Sequence, residues 1–143
     1  IKTLEGLAGN FIKPQNQSSF IMPGEILKPA PKIFPDYCNI EWNYDPQKIH
    51  NFIRGLSPYP CARAAFKNEN QNISYKIFES QPETAKHLLQ PGQIVSDGTS
   101  FIKIACAGGF IRVLSLQAEG KKRLSTEDFL RGFKIEEFCY PVN

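Results

Sequence analysis

Three consecutive cations, Lys121, Lys122 and Arg123, stand between an apolar run over residues 110–116 and a helix start at Ser125. Ser125 is a good N-cap, Asp128 follows three residues on, and Gly132 is a natural helix stop. The spacing therefore predicts an exposed turn between a strand and a helix, carrying long cationic side chains. Groups of that kind suit a phosphate backbone, which they can position without reading its bases. The net charge of +3 is too small to argue for such a partner by itself. Placement has to make the case.

The elements that would hold this turn change character along the chain. Asp45-Pro46 reads as an N-cap followed by proline at the first helical position. Ile49, Phe52, Ile53 and Leu56 then fall at i, i+3, i+4 and i+7 and predict one apolar helix face, with Trp42 packed beside it. Beyond Ser57-Pro58 the period becomes two. Residues 62–67, 73–79, 93–96, 101–106 and 110–116 read as five short strands. Asp97-Gly98 and Gly108-Gly109 read as hairpin turns, and 68–72 as a longer hairpin loop. Five antiparallel strands with flanking helices suit a sheet closed into a barrel of the oligonucleotide-binding type, which removes exposed edges.

Alternation assigns each strand two faces. Ala62, Ala64 and Phe66, then Ile73, Tyr75 and Ile77, then Ile102, Ile104 and Cys106 predict the interior. Arg63, Lys67, Lys76 and Lys103 fall on the opposite side, with no acid before Glu79 and Asp97 at strand ends. Together with the turn they predict a basic surface. Tyr59, Phe78 and Phe101 are the aromatics placed to stack on unpaired bases, although aromatics of so small a domain belong more often to its core.

The remaining composition excludes several classes. No apolar run of the 143 residues reaches membrane-spanning length. Cys38, Cys61, Cys106 and Cys139 are far apart, lack Cys-x-x-Cys spacing, and read as reduced thiols. His50 and His87 share no ligand spacing with them, so no metal site is read. Neither histidine has a nucleophile and a carboxylate near it in sequence, and Gly108-Gly109 precedes a strand instead of opening a helix, so no catalytic or cofactor-binding residues are assigned. Asn72-Ile73-Ser74 is a chance-level match to a glycosylation sequon. At the start, Leu4, Leu7, Ala8 and Phe11 have helical spacing. A stretch rich in Pro, Gln, Ser and Asn follows and behaves as a linker. The chain opens at Ile1 with no charged-then-apolar leader and reads as a portion of a longer protein.

Several segments also resemble one family. Leu116-Gln117 followed by Gly120-Lys121-Lys122-Arg123, the Ser125 cap and Asp128-Phe129-Leu130 is similar to the C-terminal end of methionyl-tRNA formyltransferases. Ala30-Pro31-Lys32-Ile33 resembles the entry into that family's C-terminal domain. Ile40-Glu41-Trp42 with Asp45-Pro46 resembles its first helix start, and Ile53-Arg54-Gly55-Leu56-Ser57-Pro58-Tyr59-Pro60 the helix exit. Pro91-Gly92-Gln93-Ile94-Val95 resembles a strand start. The family more often has an aromatic at the position of Leu56 and a glycine at that of Cys61.

The resemblance implies a cytoplasmic enzyme of translation initiation with three parts in this chain: residues 1–12 ending a helix of an N-terminal Rossmann-like domain, 13–35 a linker, and 36–143 the C-terminal barrel. The implied reaction moves a formyl group from 10-formyltetrahydrofolate to initiator methionyl-tRNA. The family's folate site and catalytic Asn, His and Asp, with their His-x-Ser-Leu-Leu-Pro motif, belong to the N-terminal domain and match nothing here. The implied task of this chain is tRNA binding, through Lys121, Lys122, Arg123, Arg63, Lys67 and Lys103, with Lys32 at the linker's exit. Two other readings stand beside it. The barrel could serve a small-molecule formyltransferase or a 10-formyltetrahydrofolate dehydrogenase, or be a free-standing single-strand-binding barrel.

Overall fold

The computed structural model describes residues 2–67, 72–133 and 140–141, without the side chains of Lys67, Asn72, Tyr140 and Pro141. The chain divides into two compact units, Ile1–Lys32 and Ile33–Asn143. The first contains helix α1 (Lys2–Ala8), none of whose described residues is buried, and a 3-10 turn at Gln17–Phe20 capped by Asn16. Helix α1 stops where the sequence weakens, at Gly9-Asn10, with Asn10 at φ 56°.

In the second unit, helix α2 (Pro46–Leu56) starts where its cap dictates. The Asp45 carboxylate accepts from the Lys48 amide at 3.0 Å, and Pro46 contributes no N–H that would go unbonded. Its buried residues Ile49, Ile53 and Leu56 face a core that also holds Trp42, Tyr75 and Ile77. Phe66, Tyr75 and Phe129 form an aromatic cluster, with centroids 4.7 and 5.7 Å apart on either side of Tyr75. Burial pushes the Tyr75 hydroxyl up to a pKa of about 12, the expected direction for a phenol without water.

The strands are β1 (Ala62–Lys67), β2 (Asn72–Thr84), β3 (Ile94–Ser96), β4 (Ile102–Cys106), β5 (Gly109–Ala118), β6 (Leu124–Ser125) and β7 (Tyr140–Pro141), with helix α3 (Thr126–Gly132) after β6. The sheet runs β3-β4-β5-β2-β1-β7 with every pairing antiparallel. Strand β6 takes up the edge of β5 beyond the end of β4, through Ser115↔Ser125 and Leu116↔Leu124. The closed five-stranded barrel is therefore corrected to an open sheet. Among the described residues no ladder joins β3 to β1 or β7. The edges are blunted by very short strands, a different solution to the same exposed-edge problem.

Other differences are local. Strand β2 runs on through Pro82 to Thr84 instead of ending at Glu79, and its register shifts around Phe78 and Glu79 as at a β-bulge. Beyond Ile77 the strand no longer pairs with β1, and a strand with a free edge tolerates proline. The Asp97-Gly98 turn is the start of a longer loop. There the Asp97 carboxylate accepts from the Ser100 hydroxyl and from the amides of Ser100, Thr99 and Phe101, which hold its pKa well below the usual carboxylate range. Gly132 closes α3 from within, and the cap is Phe133 at φ −137°, so no left-handed stop occurs. Cys61, where the family favours glycine, has φ 75°, a conformation glycine adopts more easily.

Helix α2 and the β4–β5 hairpin approach so closely that only glycine fits at 109. An added Cβ would lie 2.1 Å from the Glu83 carbonyl oxygen and 2.7 Å from Pro46 Cγ. At Gly55, inside α2, nothing lies within 4 Å of the same added atom. Gly109→Ala should therefore destabilise by about 1–3 kcal/mol through overpacking. Gly55→Ala should stabilise by about 0.5–1 kcal/mol through helix propensity. Denaturant midpoints that shift in opposite directions would bear this out, and a neutral Gly109→Ala would refute the close approach.

Candidate nucleic-acid interface

The turn after β5 is built by local hydrogen bonds. The Lys121 amide donates to the Ala118 carbonyl at 3.0 Å, and Gly120 sits at φ 70°, which suits the third position of such a turn. Gln117 Nε2 donates to the Lys121 carbonyl at 2.6 Å and ties the turn to the strand. The side chains of Lys121 and Lys122 are consequently exposed. Neither has an ion-pair partner among the described residues.

Arg123 behaves differently from its neighbours. Its Nε donates to Ser115 Oγ at 2.7 Å, its guanidinium is ion-paired with Glu79, and it lies 4.5 Å from the centroid of Phe78. It is folded back onto the sheet instead of standing off the turn. The β2 bulge is the reason, because it brings Phe78 and Glu79 into reach of the β6 side.

The strand cations also separate into two kinds. Lys103 is ion-paired with Glu83 at 2.5 Å and lies 5.4 Å from the Phe101 ring. The longer β2 adds Glu83 to this face, beyond the Glu79 already expected at the strand's end. Arg63 and Lys76, by contrast, are half-buried, and neither has an ion pair among the described residues. They stand opposite each other in the β1–β2 ladder. The backbone of Lys67 ends β1, and its side chain lies outside the described residues. Lys32 is exposed in the first unit.

Of the aromatics, Tyr59 is 88% exposed, whereas Phe78 and Phe101 are half-buried beneath cations. Cys38, Cys61 and Cys106 are buried free thiols, those of Cys38 and Cys61 donating to the Phe34 and Ile77 carbonyls, and Cys139 lies outside the described residues. His87 anchors the long connection to the β4–β5 hairpin, its Nε2 within 3.0 Å of the Cys106 and 2.8 Å of the Gly109 carbonyls.

Sequence reasoning missed one pair. His50 Nδ1 lies 3.1 Å from Ser80 Oγ, in a groove of about 430 Å³ lined also by Arg54, Phe78 and Leu114. Thirty residues separate the two, and only the pairing of α2 with β2 unites them. Ser80 is buried, and no carboxylate bonds His50 among the described residues, so the orienting acid of a catalytic triad is missing. No cluster of His, Cys, Asp and Glu fit for a metal occurs among the described residues, and no described helix is long and apolar enough to cross a membrane.

What the structure defines is a small, mainly β domain with helices on its flank and unpaired cations near the β5 turn. Residues 32–134 match the family described as the C-terminal domain of formyl transferases, and the chain belongs to that family. The chain is 45% identical over 138 residues to the methionyl-tRNA formyltransferase of Bacteroides fragilis, covering 96% of this chain and 42% of that protein. It is 44% identical, with the same coverage, to that of Bacteroides thetaiotaomicron. The Flavobacterium johnsoniae methionyl-tRNA formyltransferase is 40% identical over 111 residues, 78% of this chain and 35% of the relative. The chain thus spans about two fifths of the length of the curated relatives it matches most fully. Among solved structures, a variant of HypX from Aquifex aeolicus shares the fold, with a TM-score of 0.52 and 17% identity over 93% of this chain and 23% of that one.

The two kinds of cation make a separable prediction. Arg123→Ala removes a hydrogen bond to a buried serine and a stem packed on Phe78, and should cost about 1 kcal/mol. Lys122→Ala should stay within about 0.5 kcal/mol of the parent, as exposed turn residues do. Chemical denaturation of both variants checks this. Equal midpoints would mean that Arg123 is as loosely held as its neighbours.

Proposed function

We propose that this chain is the tRNA-holding portion of a methionyl-tRNA formyltransferase. It grips the acceptor arm of initiator methionyl-tRNA through phosphate contacts, so that the aminoacyl end reaches a catalytic domain elsewhere in the same polypeptide. Formyl transfer from 10-formyltetrahydrofolate would take place in that N-terminal Rossmann-like domain, in the cytoplasm, where translation starts. This chain's share of catalysis is positioning, which turns an encounter between two large reactants into an intramolecular event.

The observation that carries the reading is the Lys121–Lys122 turn, exposed and without ion-pair partners among the described residues, on a chain 45% identical to a curated methionyl-tRNA formyltransferase. A small formyl acceptor would give no reason for two unneutralised lysines on a fixed turn. Arg63 and Lys67 join them as contacts, and Lys32, in the first unit, is a contact of its own. Arg123 and Lys103, already paired with Glu79 and Glu83, contribute field more than direct contact. Residues 1–12 are assigned to the end of a helix that packs on the catalytic domain. Leu4, 71% exposed, and the neighbouring Leu7 support this by offering an apolar face. Residues 13–35 are assigned as the linker.

Binding of tRNA to this chain should weaken steeply with salt, with a slope of log affinity against log salt of roughly −2 to −5 for three to five phosphate contacts. The double variant Lys121→Ala/Lys122→Ala should flatten it by about 1.4–1.8 units, two contacts' worth, with its melting temperature unchanged. A salt titration of parent and variant measures this. If the slopes coincide while both proteins remain folded, the turn is not the phosphate contact, and the small-molecule formyltransferase reading takes its place.

A further inference from the structure

Arg63, Lys76 and Gln117 are register neighbours on three adjacent strands, β1, β2 and β5, and all three project away from the core face. They line a cleft of about 170 Å³, closed at one end by Ser74 and by the turn at Glu119 and Gly120. The strands lie about 4.8 Å apart, so the three polar side chains cross the sheet as a row. Arg63 Nε is out of contact with water and has no hydrogen-bond partner among the described residues. An orphaned guanidinium N–H is costly unless something else occupies its acceptor position. Lys76 beside it has no ion pair among the described residues. One acid, Glu119, also lines the cleft, but it is exposed and bonded to neither cation, so the interior keeps an excess of positive charge. The buried thiol of Cys61 responds to that charge: burial raises its pKa, and Lys76, Arg123 and Arg63 pull it back down.

We propose that this cleft is a phosphodiester subsite, in which Arg63 and Lys76 hold one phosphate of a nucleic-acid backbone. The planar fork of Arg63 directs its N–H groups at two phosphate oxygens, and Lys76 adds a point charge. Gly120 leaves the mouth without a side chain, and Lys121 and Lys122 follow it directly, so a backbone seated in the cleft continues across the exposed turn. The subsite rests on the tRNA reading for the source of its phosphate, and its chemistry can be tested apart from it.

Titration of the chain with inorganic phosphate, followed by amide NMR, is expected to move Ser74, Gln117 and Gly120. The movement should vanish in Arg63→Gln/Lys76→Gln and persist in part in Arg63→Lys, which keeps the charge without the fork. If the parent's amides do not move, the cleft is not an anion site and the proposal fails, whatever the variants' stability. In parallel, the double variant should flatten the tRNA salt slope by about 0.7–0.9 units, one phosphate's worth, in addition to the loss at Lys121 and Lys122. A slope unchanged by that variant but flattened at the turn overturns the subsite and leaves the tRNA reading standing. Phosphate-dependent shifts in a chain that binds no tRNA at any salt overturn the tRNA reading instead, and with it the nucleic-acid source of the phosphate.

Discussion

The pairing of β2 with β5 is the constraint on which the rest of this domain depends. Strand β2 runs alongside β5 over the full length of the latter, from Tyr75↔Ala118 to Thr84↔Gly109. Both carry other elements at their flanks: β1 on one, β4 and β6 on the other. A ladder this long would twist and coil if it were regular. The register shift around Phe78 and Glu79 divides it in two and re-aims the side chains between. On one side of the break lie Lys76 and Gln117, and on the other Glu83 meets Lys103. At the break itself Phe78 and Glu79 receive Arg123. Every charged contact considered above is fixed by where that bulge falls.

Neutralisation also decides which cations matter. Net charge is only +3, and acids on β2 already engage Arg123 and Lys103. Exposed ion pairs of that kind add little to stability, but they do remove their cations as free partners for a phosphate. The positive field is therefore local. It is concentrated where β1, β2 and β5 run side by side and where the chain leaves β5, and a Debye length of about 8 Å at physiological salt keeps it so.

Much of this was legible in the sequence because it is set by neighbours in the chain. The Asp45-Pro46 start of α2, the Ser125 cap and the alternation of residues 62–67 depend on contacts within a few residues, and each formed where the residue types required. The β1–β2 register was one residue off: with 68–72 read as the loop, Lys67 would face Ile73 and Arg63 would face Ile77, whereas the ladder pairs Lys67 with Asn72 and Arg63 with Lys76. What sequence could not supply was the set of pairings between distant segments. The meetings of Glu83 with Lys103, of Glu79 with Arg123 and of His50 with Ser80 span 20, 44 and 30 residues. The sheet's failure to close has the same origin, since closure depends on how far the short edge strands reach and not on strand count. Strand β2 outran its expected end at Glu79 because beyond Ile77 it pairs only with β5, and Pro82 is tolerated on that free edge.

Buried and exposed cations do different work on a phosphate backbone. An exposed lysine such as Lys122 remains hydrated and mobile. It attracts a polyanion from a distance and releases counterions on contact, with little preference for which phosphate it meets. A half-buried arginine held by its strand is already partly desolvated and has one direction in which to bond, so it favours a single position of the backbone. A surface made only of the first kind would let tRNA slide, and one made only of the second would capture it slowly. Gly120 lines the cleft and Lys121 follows it in the chain, so on the proposed reading the lysines would gather a backbone whose register the cleft would set. Under the proposed function that second step would matter most, because a reacting group misplaced by about an ångström can lose two orders of magnitude in rate.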